Sequence, residues 1–240
     1  GGGWDDGDPS SWAPNINRTI DWAGVQLVPI EKNFYEEHAD VSARSDEEVA
    51  QIRRSRDIEV LGGEGRDGSS IPKPVTNFEE ASLPEWLMEG VRKKGFQAPT
   101  PIQVQVWPVA LQGRDLIGIA ETGSGKTLAY LLPMFVHIIA QEELQAGQGP
   151  VGVVLAPTRE LALQINDVAQ DYIGRSGFRS TAVYGGVPVK QQGWAVQEKN
   201  DIIVATPGRF IQLLNEAYTN LNRVTYVVLD EADEMLSCGF

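Results

Sequence analysis

The stretch that most constrains this chain is "DLIGIAETGSGKTLAYLLPMF", residues 115–135. An apolar run leads into Gly123–Ser124–Gly125–Lys126–Thr127, and an apolar-periodic segment follows. Strand, glycine loop and helix in that order are the signature of a phosphate-binding loop. Glycine lets successive backbone N–H groups curl around phosphate oxygens, and the helix start adds its positive end. Lys126 would reach the terminal phosphates of a nucleotide, and the Thr127 hydroxyl would coordinate Mg²⁺. The generic pattern has its first glycine where this chain has Ala120, so a plain Gly-rich turn stays open as the alternative.

The sequence around this loop sets the fold class. "DLIGIA" (115–120), "VGVVLA" (151–156), "RSTAVY" (179–184), "DIIVA" (201–205) and "VTYVVL" (224–229) are short, nearly continuous apolar runs. Buried parallel strands read this way. Helix-like stretches lie between them, at 125–139, 158–173, 187–198 and 207–217. This alternation predicts an α/β fold, a parallel sheet covered by helices on both faces.

"TYVVLDEAD" carries a strand into the acids Asp230, Glu231 and Asp233. Ligands of open parallel sheets collect at the carboxyl ends of the strands, so Lys126 and Asp230 are expected on one rim. There Asp230 would hold Mg²⁺ through its water shell, and Glu231 would orient an attacking water. An acidic helix N-terminus, stabilised by the helix dipole alone, is the competing explanation.

Net charge bears on what such a site can bind. The chain carries −13, divided as −7 over residues 1–75 and −6 over residues 76–240. Neither part is basic, which argues against indiscriminate, charge-driven nucleic-acid binding. Any phosphate-binding surface must therefore be built from a few placed groups. The single cysteine, Cys238, excludes an intrachain disulfide and a cysteine zinc cluster. No apolar run is long enough to span a bilayer, and the first residues lack a signal-peptide profile, so an intracellular setting without membrane contact is expected. His38 and His137 have no metal-ligand spacing.

Upstream, residues 1–30 are rich in Gly and Asp and read as a disordered tail. Residues 31–75 read as an extension with one short helix and a linker. Ser45 is the expected N-cap of that helix, with Glu48 at the capping-box position. "LGGEGRDGSSIPKP" (61–74) is the linker. Arg92–Lys93–Lys94 before Gly95 marks a helix C-terminus.

AETGSGKT (120–127), PTRELA (157–162), Gly185–Gly186, TPGR (206–209) and DEAD (230–233), in this order, resemble the first RecA-like domain of the DEAD-box RNA helicases. "GFQAPTPIQ" (95–103), with Phe78 upstream, is similar to that family's adenine-reading Q motif. The resemblance covers residues 76–240. It implies a RecA-like P-loop NTPase domain, ATP and Mg²⁺ as cofactors, and RNA-stimulated ATP hydrolysis coupled to local unwinding. Phe96, Gln97, Ala98 and Gln103 are the implied adenine side; Ala120, Glu121, Thr122 and the loop through Thr127 are the phosphate side. The planar amide of Gln103 offers a donor and an acceptor to a base edge, and Phe96 would pack on the base. The implied catalytic set is Lys126, Asp230, Glu231 and Asp233, with Asp233 coupling domains.

Pro157, Thr158, Arg159, Gly185, Gly186, Thr206, Pro207, Gly208 and Arg209 are implied contacts to the RNA backbone. Helix N-termini, backbone N–H groups, hydroxyls and Arg bind phosphate without reading bases, which suits sequence-independent recognition by an acidic chain. From the residues alone, Phe96 also reads as a core aromatic and Gln103 as a surface amide. Arg159 likewise reads as an ion-pair partner near its own helix, and Thr206 as a plain N-cap.

"KNFYEEH" (32–38) and "IPKPVTNFEEA" (71–81) are similar to the extension of one subfamily linked to nuclear RNA processing. A nuclear location, with the cytoplasm as the alternative, and protein partners through the extension follow as expectations. The family's Ser-Ala-Thr strand, which lies between the phosphate-loop and DEAD strands, and its second RecA-like domain are not in this sequence. The chain opens on Gly1 and stops soon after Asp230. An amino-terminal piece of a longer helicase, with negligible RNA-stimulated ATPase activity alone, is the expectation. The alternative is a truncated product that binds nucleotide, RNA or a partner without hydrolysing ATP. Glu121 stands where the family often has an uncharged residue, and it would weaken ATP binding if it faced inward.

Overall fold

The computed structural model describes residues 28–62, 68–145, 147–174 and 177–237. Nearly all of the tail read at 1–30, and Cys238, lie outside those residues. The described residues form two compact units, one from residues 143–170 and 177–237, the other from residues 30–142 and 171–174.

The first unit is built on a parallel sheet. Strands β1 (Gly152–Leu155), β2 (Ser180–Val183), β3 (Ile202–Ala205) and β4 (Tyr226–Leu229) take the order β2-β3-β1-β4. The register pairs Val183 with Ala205, Ala205 with Leu155, and Leu155 with Leu229. All four strands therefore end at one rim. Helices α6 (Arg159–Ile173), α7 (Val189–Gln197) and α8 (Pro207–Asn215) connect them, close to the ranges read from the sequence. Every residue of β3 is buried, as its unbroken Ile-Ile-Val-Ala run requires. Val153, Val183, Val196, Ile203, Phe210 and Leu213 form the core of this unit.

Two expectations need correction. Residues 115–120 form no strand; Ile117 and Ile119 are 93% and 90% exposed. β4 is at the end of the sheet and only half covered, with Val227 and Leu229 more than half exposed. An extended segment becomes a strand only when a neighbour takes its N–H and C=O groups. Among the described residues no strand pairs with 115–120 or with the outer edge of β4. These are the two stretches expected to flank a Ser-Ala-Thr strand.

The second unit is helical. It contains α1 (Ala39–Ala43), α2 (Asp46–Ser55), a 3₁₀ turn (Glu79–Ala81), α3 (Glu85–Lys93), α4 (Pro101–Leu111) and α5 (Lys126–Ala140). The predicted cap at Ser45 forms: the Glu48 amide donates to Ser45 Oγ, and the Ser45 amide donates to Glu48 Oε2. These hydrogen bonds hold the Glu48 carboxyl below its ordinary range. α3 ends at Lys93 before the left-handed Gly95, as the basic run predicts. α1 was not foreseen.

α4 has no polar face. Gln103, Val104, Gln105, Val106, Trp107, Pro108, Ala110 and Leu111 are all buried, so it needs cover on every side. α5 packs along one side, where Trp107 Nε1 donates to the Leu128 carbonyl at 3.2 Å. Phe78 lies against the Trp107 ring, with centroids 6.0 Å apart.

Candidate functional site

The phosphate loop is poised around its glycines. Gly123 and Gly125 have φ of 79° and 89°, and Gly125 is the N-cap of α5. A Cβ at Gly125 would lie 2.7 Å from Gln103 Nε2 and 3.0 Å from Thr100 Oγ1. Both conformation and space therefore demand glycine there. The Ser124 amide turns back onto the Glu121 carbonyl at 3.2 Å, and Lys126 Nζ donates to the Ala120 carbonyl at 2.7 Å. Ser124 Oγ is buried without a hydrogen-bond partner among the described residues. An orphaned hydroxyl and an ammonium resting on a backbone carbonyl suit a phosphate, which would offer acceptors to both. Ala120, Glu121 and Thr122 lead into the loop, and Thr127 follows Lys126 in the first turn of α5. Glu121 is exposed.

Residues 95–103 divide into an exposed loop and a buried anchor. Phe96 is 48% exposed and its neighbours Gln97 and Ala98 are exposed, which removes the core-aromatic reading of Phe96. Gln97 Nε2 donates to the Gly95 carbonyl at 3.0 Å. Gln103 is only 5% exposed, which removes the surface-amide reading. Its Oε1 accepts from the Thr100 amide at 3.1 Å, and its Nε2 donates to the Gly125 carbonyl at 3.0 Å. A carboxamide has two donor and two acceptor positions, so half its capacity already joins the start of α4 to the glycine loop before α5.

The sheet unit gathers the remaining site residues on its carboxyl rim. Pro157, Thr158 and Arg159 follow β1, Gly185 and Gly186 follow β2, and Thr206, Pro207, Gly208 and Arg209 follow β3. Asp230 and Glu231 follow β4, with the Asp230 amide extending the ladder to the Leu155 carbonyl at 2.9 Å. Asp230 is 9% exposed, and its Oδ1 accepts from the Glu231 amide at 3.1 Å. Glu231 has φ of 51°, the left-handed region that a non-glycine residue occupies only at a cost. Asp233 lies in the first turn of α9 (Ala232–Ser237).

Arg159 does not pair with a carboxylate among the described residues; its guanidinium lies 4.7 Å from the centre of the Tyr184 ring. Arg209 Nη1 donates to Gln192 Oε1 at 2.7 Å, and the Tyr184 amide reaches the same oxygen at 3.4 Å. Gln192 is thus the hinge of the cluster, holding one arginine directly and the other through the Tyr184 backbone. Burial lowers the Arg209 pKa, in keeping with its partial enclosure. Thr158 Oγ1 accepts from the Leu161 amide at 3.2 Å and serves α6 as a cap. Thr206 stands at the N-cap of α8, yet its side chain makes no capping bond, unlike the plain N-cap reading. Tyr184 and Gln192 were not singled out from the sequence; neither lies in a recognisable motif.

Residues 100–240 match the DEAD/DEAH box helicase family. The chain is 51% identical over its whole length to DEAD-box ATP-dependent RNA helicase 20 of Oryza sativa subsp. japonica, covering 47% of that protein. It is 51% identical over 92% of its length to ATP-dependent RNA helicase DBP2 of Mycosarcoma maydis, covering 39% of that relative. The chain therefore spans less than half the length of these relatives. Among solved structures, the yeast DEAD-box splicing factor Prp28 superposes with a TM-score of 0.77 at 30% identity, over 88% of this chain and 48% of that one. Prp28 of Chaetomium thermophilum, an RNA helicase bound to ADP, superposes with a TM-score of 0.74 at 38% identity, over 85% of this chain and 48% of that one. The fold is the RecA-like one of those structures, and the chain belongs to the DEAD/DEAH box helicase family.

Proposed function

We propose that the chain supplies the nucleotide-binding half of an ATP-dependent RNA helicase. The observation that carries this reading is the glycine loop, with Lys126 resting on a backbone carbonyl and Ser124 Oγ buried without a partner among the described residues. Lys126 exchanges the Ala120 carbonyl for phosphate oxygens, and the loop amides and Ser124 hydroxyl complete the cradle. Phe96 stacks on adenine, while the unused positions of the Gln103 amide meet its edge.

Thr127 would be the loop's own ligand to Mg²⁺, an ion that would neutralise charge on phosphate oxygens, and Asp230 would hold a metal ion through its water shell. Glu231 orients the attacking water, and Asp233 couples the site to a second RecA-like domain. Arg159, Arg209, the Thr206 hydroxyl and the backbone at Gly185–Gly186 grip the RNA sugar–phosphate chain; Pro157, Thr158, Pro207 and Gly208 shape those loops. Few such contacts suffice for sequence-independent binding by an acidic protein.

RNA-stimulated turnover belongs to the two-domain helicase, and these 240 residues by themselves have negligible activity. The test compares ATPase stimulation of the longer protein by RNA and by DNA of the same sequence, and repeats it on this chain. Stimulation by RNA only, and none for the chain, is expected. Equal stimulation by DNA, or full turnover by the chain, contradicts the proposal. A nuclear RNA-processing role and protein partners for the extension rest on the likeness at 32–38 and 71–81; imaging the tagged longer protein tests the location.

A further inference from the structure

The extension upstream of the Q motif is bound to α4 along its length. Pro108 lies inside α4 and has no N–H, so the Val104 carbonyl one turn earlier loses its helical donor. The Val75 amide fills that position at 3.0 Å. The Phe34 amide donates to the Leu111 carbonyl at 2.7 Å, capping the last turn of the same helix. Between these points Gln105 Nε2 donates to the Pro72 carbonyl, and Arg53 Nε donates to Gln105 Oε1, both at 3.0 Å. Arg56 Nη1 reaches the Pro99 carbonyl at 3.4 Å. Pro99 is buried where the exposed loop carrying Phe96 re-enters the fold, just before Thr100 and α4.

The strap is itself braced. Lys73 Nζ donates to the carbonyls of Ser42 and Arg44, and the Arg44 guanidinium donates to the Pro74 carbonyl, Thr76 Oγ1 and Glu80 Oε1. Residues 72–74, read from the sequence as linker, are thus a fixed part of this unit. Arg53 and Arg56 have no carboxylate partner among the described residues; their acceptors here are neutral groups on α4, on Pro72 and on the loop before α4. A half-buried guanidinium spent on neutral acceptors fixes geometry rather than balancing charge. Burial lowers the Arg53 pKa accordingly.

We propose that Arg53 and Arg56 are positioning residues for nucleotide binding: the strap fixes α4 and the loop at 95–99, and so sets affinity for the base without touching it. This rests on the reading of Phe96 and Gln103 as the base-contacting residues. It predicts a split between the two ends of the nucleotide. The base end depends on the strap, whereas the phosphate end depends on the loop at 120–127.

The experiment measures binding of ADP, GDP and inorganic tripolyphosphate, each with Mg²⁺, to the 240-residue chain by calorimetry. With Arg53→Ala/Arg56→Ala, ADP affinity falls about fivefold to tenfold, the scale of losing one or two hydrogen bonds, while tripolyphosphate binding changes less than about twofold. Arg56→Ala alone, which removes only the bond to Pro99, gives about a threefold loss and guards against a double variant that fails to fold. Arg56→Lys keeps a donor and restores most of it. Equal weakening of ADP and tripolyphosphate, or unchanged ADP affinity in both variants, overturns the proposal. A wild-type chain that does not prefer ADP to GDP sinks the base-reading assignment itself, and the proposal with it.

Discussion

The Gln103 side chain donates to the Gly125 carbonyl at 3.0 Å and accepts from the Thr100 amide, so one buried amide ties the N-cap of α4 to the N-cap of α5. A residue read from the sequence as a base contact is also a structural brace. Gln103→Leu should therefore destabilise the nucleotide-free chain by about 1–3 kcal/mol, because two backbone groups lose their partner. Urea unfolding without nucleotide measures this. A residue that only read adenine would leave that stability unchanged.

Gly125→Ala sets a Cβ against Gln103 Nε2 and Thr100 in a backbone with φ of 89°. Strain of this kind costs about 1–3 kcal/mol. A lower Tm, together with at least about tenfold weaker ADP binding from the displaced loop, is expected. Calorimetry and thermal unfolding on the same sample separate the two effects; normal ADP affinity would show that the close packing is not needed.

Gln192 holds Arg209 and the backbone of Tyr184, whose ring supports Arg159. Gln192→Ala should weaken RNA binding by about threefold to tenfold while leaving the salt dependence unchanged, since no charge is removed. Arg209→Ala should also lower the slope of log K against log salt by about one. Fluorescence anisotropy with a single-stranded RNA across a salt series distinguishes them.

His137 is buried on α5, edge-on to the Phe34 ring of the extension at 6.1 Å, and burial pushes its pKa from 6.5 down to about 4. The unfolded chain therefore binds a proton between those values that the folded chain does not. Stability should fall as pH drops below 6.5, by about 2 kcal/mol at pH 5 from this group alone. His137→Phe should flatten that part of the profile in denaturant titrations at several pH values. An equally steep profile in the variant would assign the acid sensitivity elsewhere.

What the sequence disclosed follows from what each signal reports. Unbroken apolar runs identified β1 and β3 because double burial leaves that trace in composition, whereas β2, at one end of the sheet, is only partly buried and carries a weaker trace. The same trace at 115–120 reported a capacity for burial, whereas a strand also needs a neighbour to take its backbone groups. Capping at Ser45 was legible because it is local. Gln192 left no sign, since a buried glutamine is recognised by its partners and these come from other elements. Val75 at the Val104 carbonyl is equally non-local. Pro108 inside α4 was the available clue: it signals a carbonyl in need of an outside donor.

The most direct test of the account titrates ADP with Mg²⁺ into the 240-residue chain and into Lys126→Ala. The wild-type chain should bind ADP in preference to GDP. Lys126→Ala should lose at least about tenfold in affinity, the scale of one charge-assisted contact to phosphate, with only a small drop in nucleotide-free Tm from the lost Ala120 contact. Absence of ADP binding by the wild-type chain, or equal binding by the variant, would contradict the assignment of this loop as a nucleotide site.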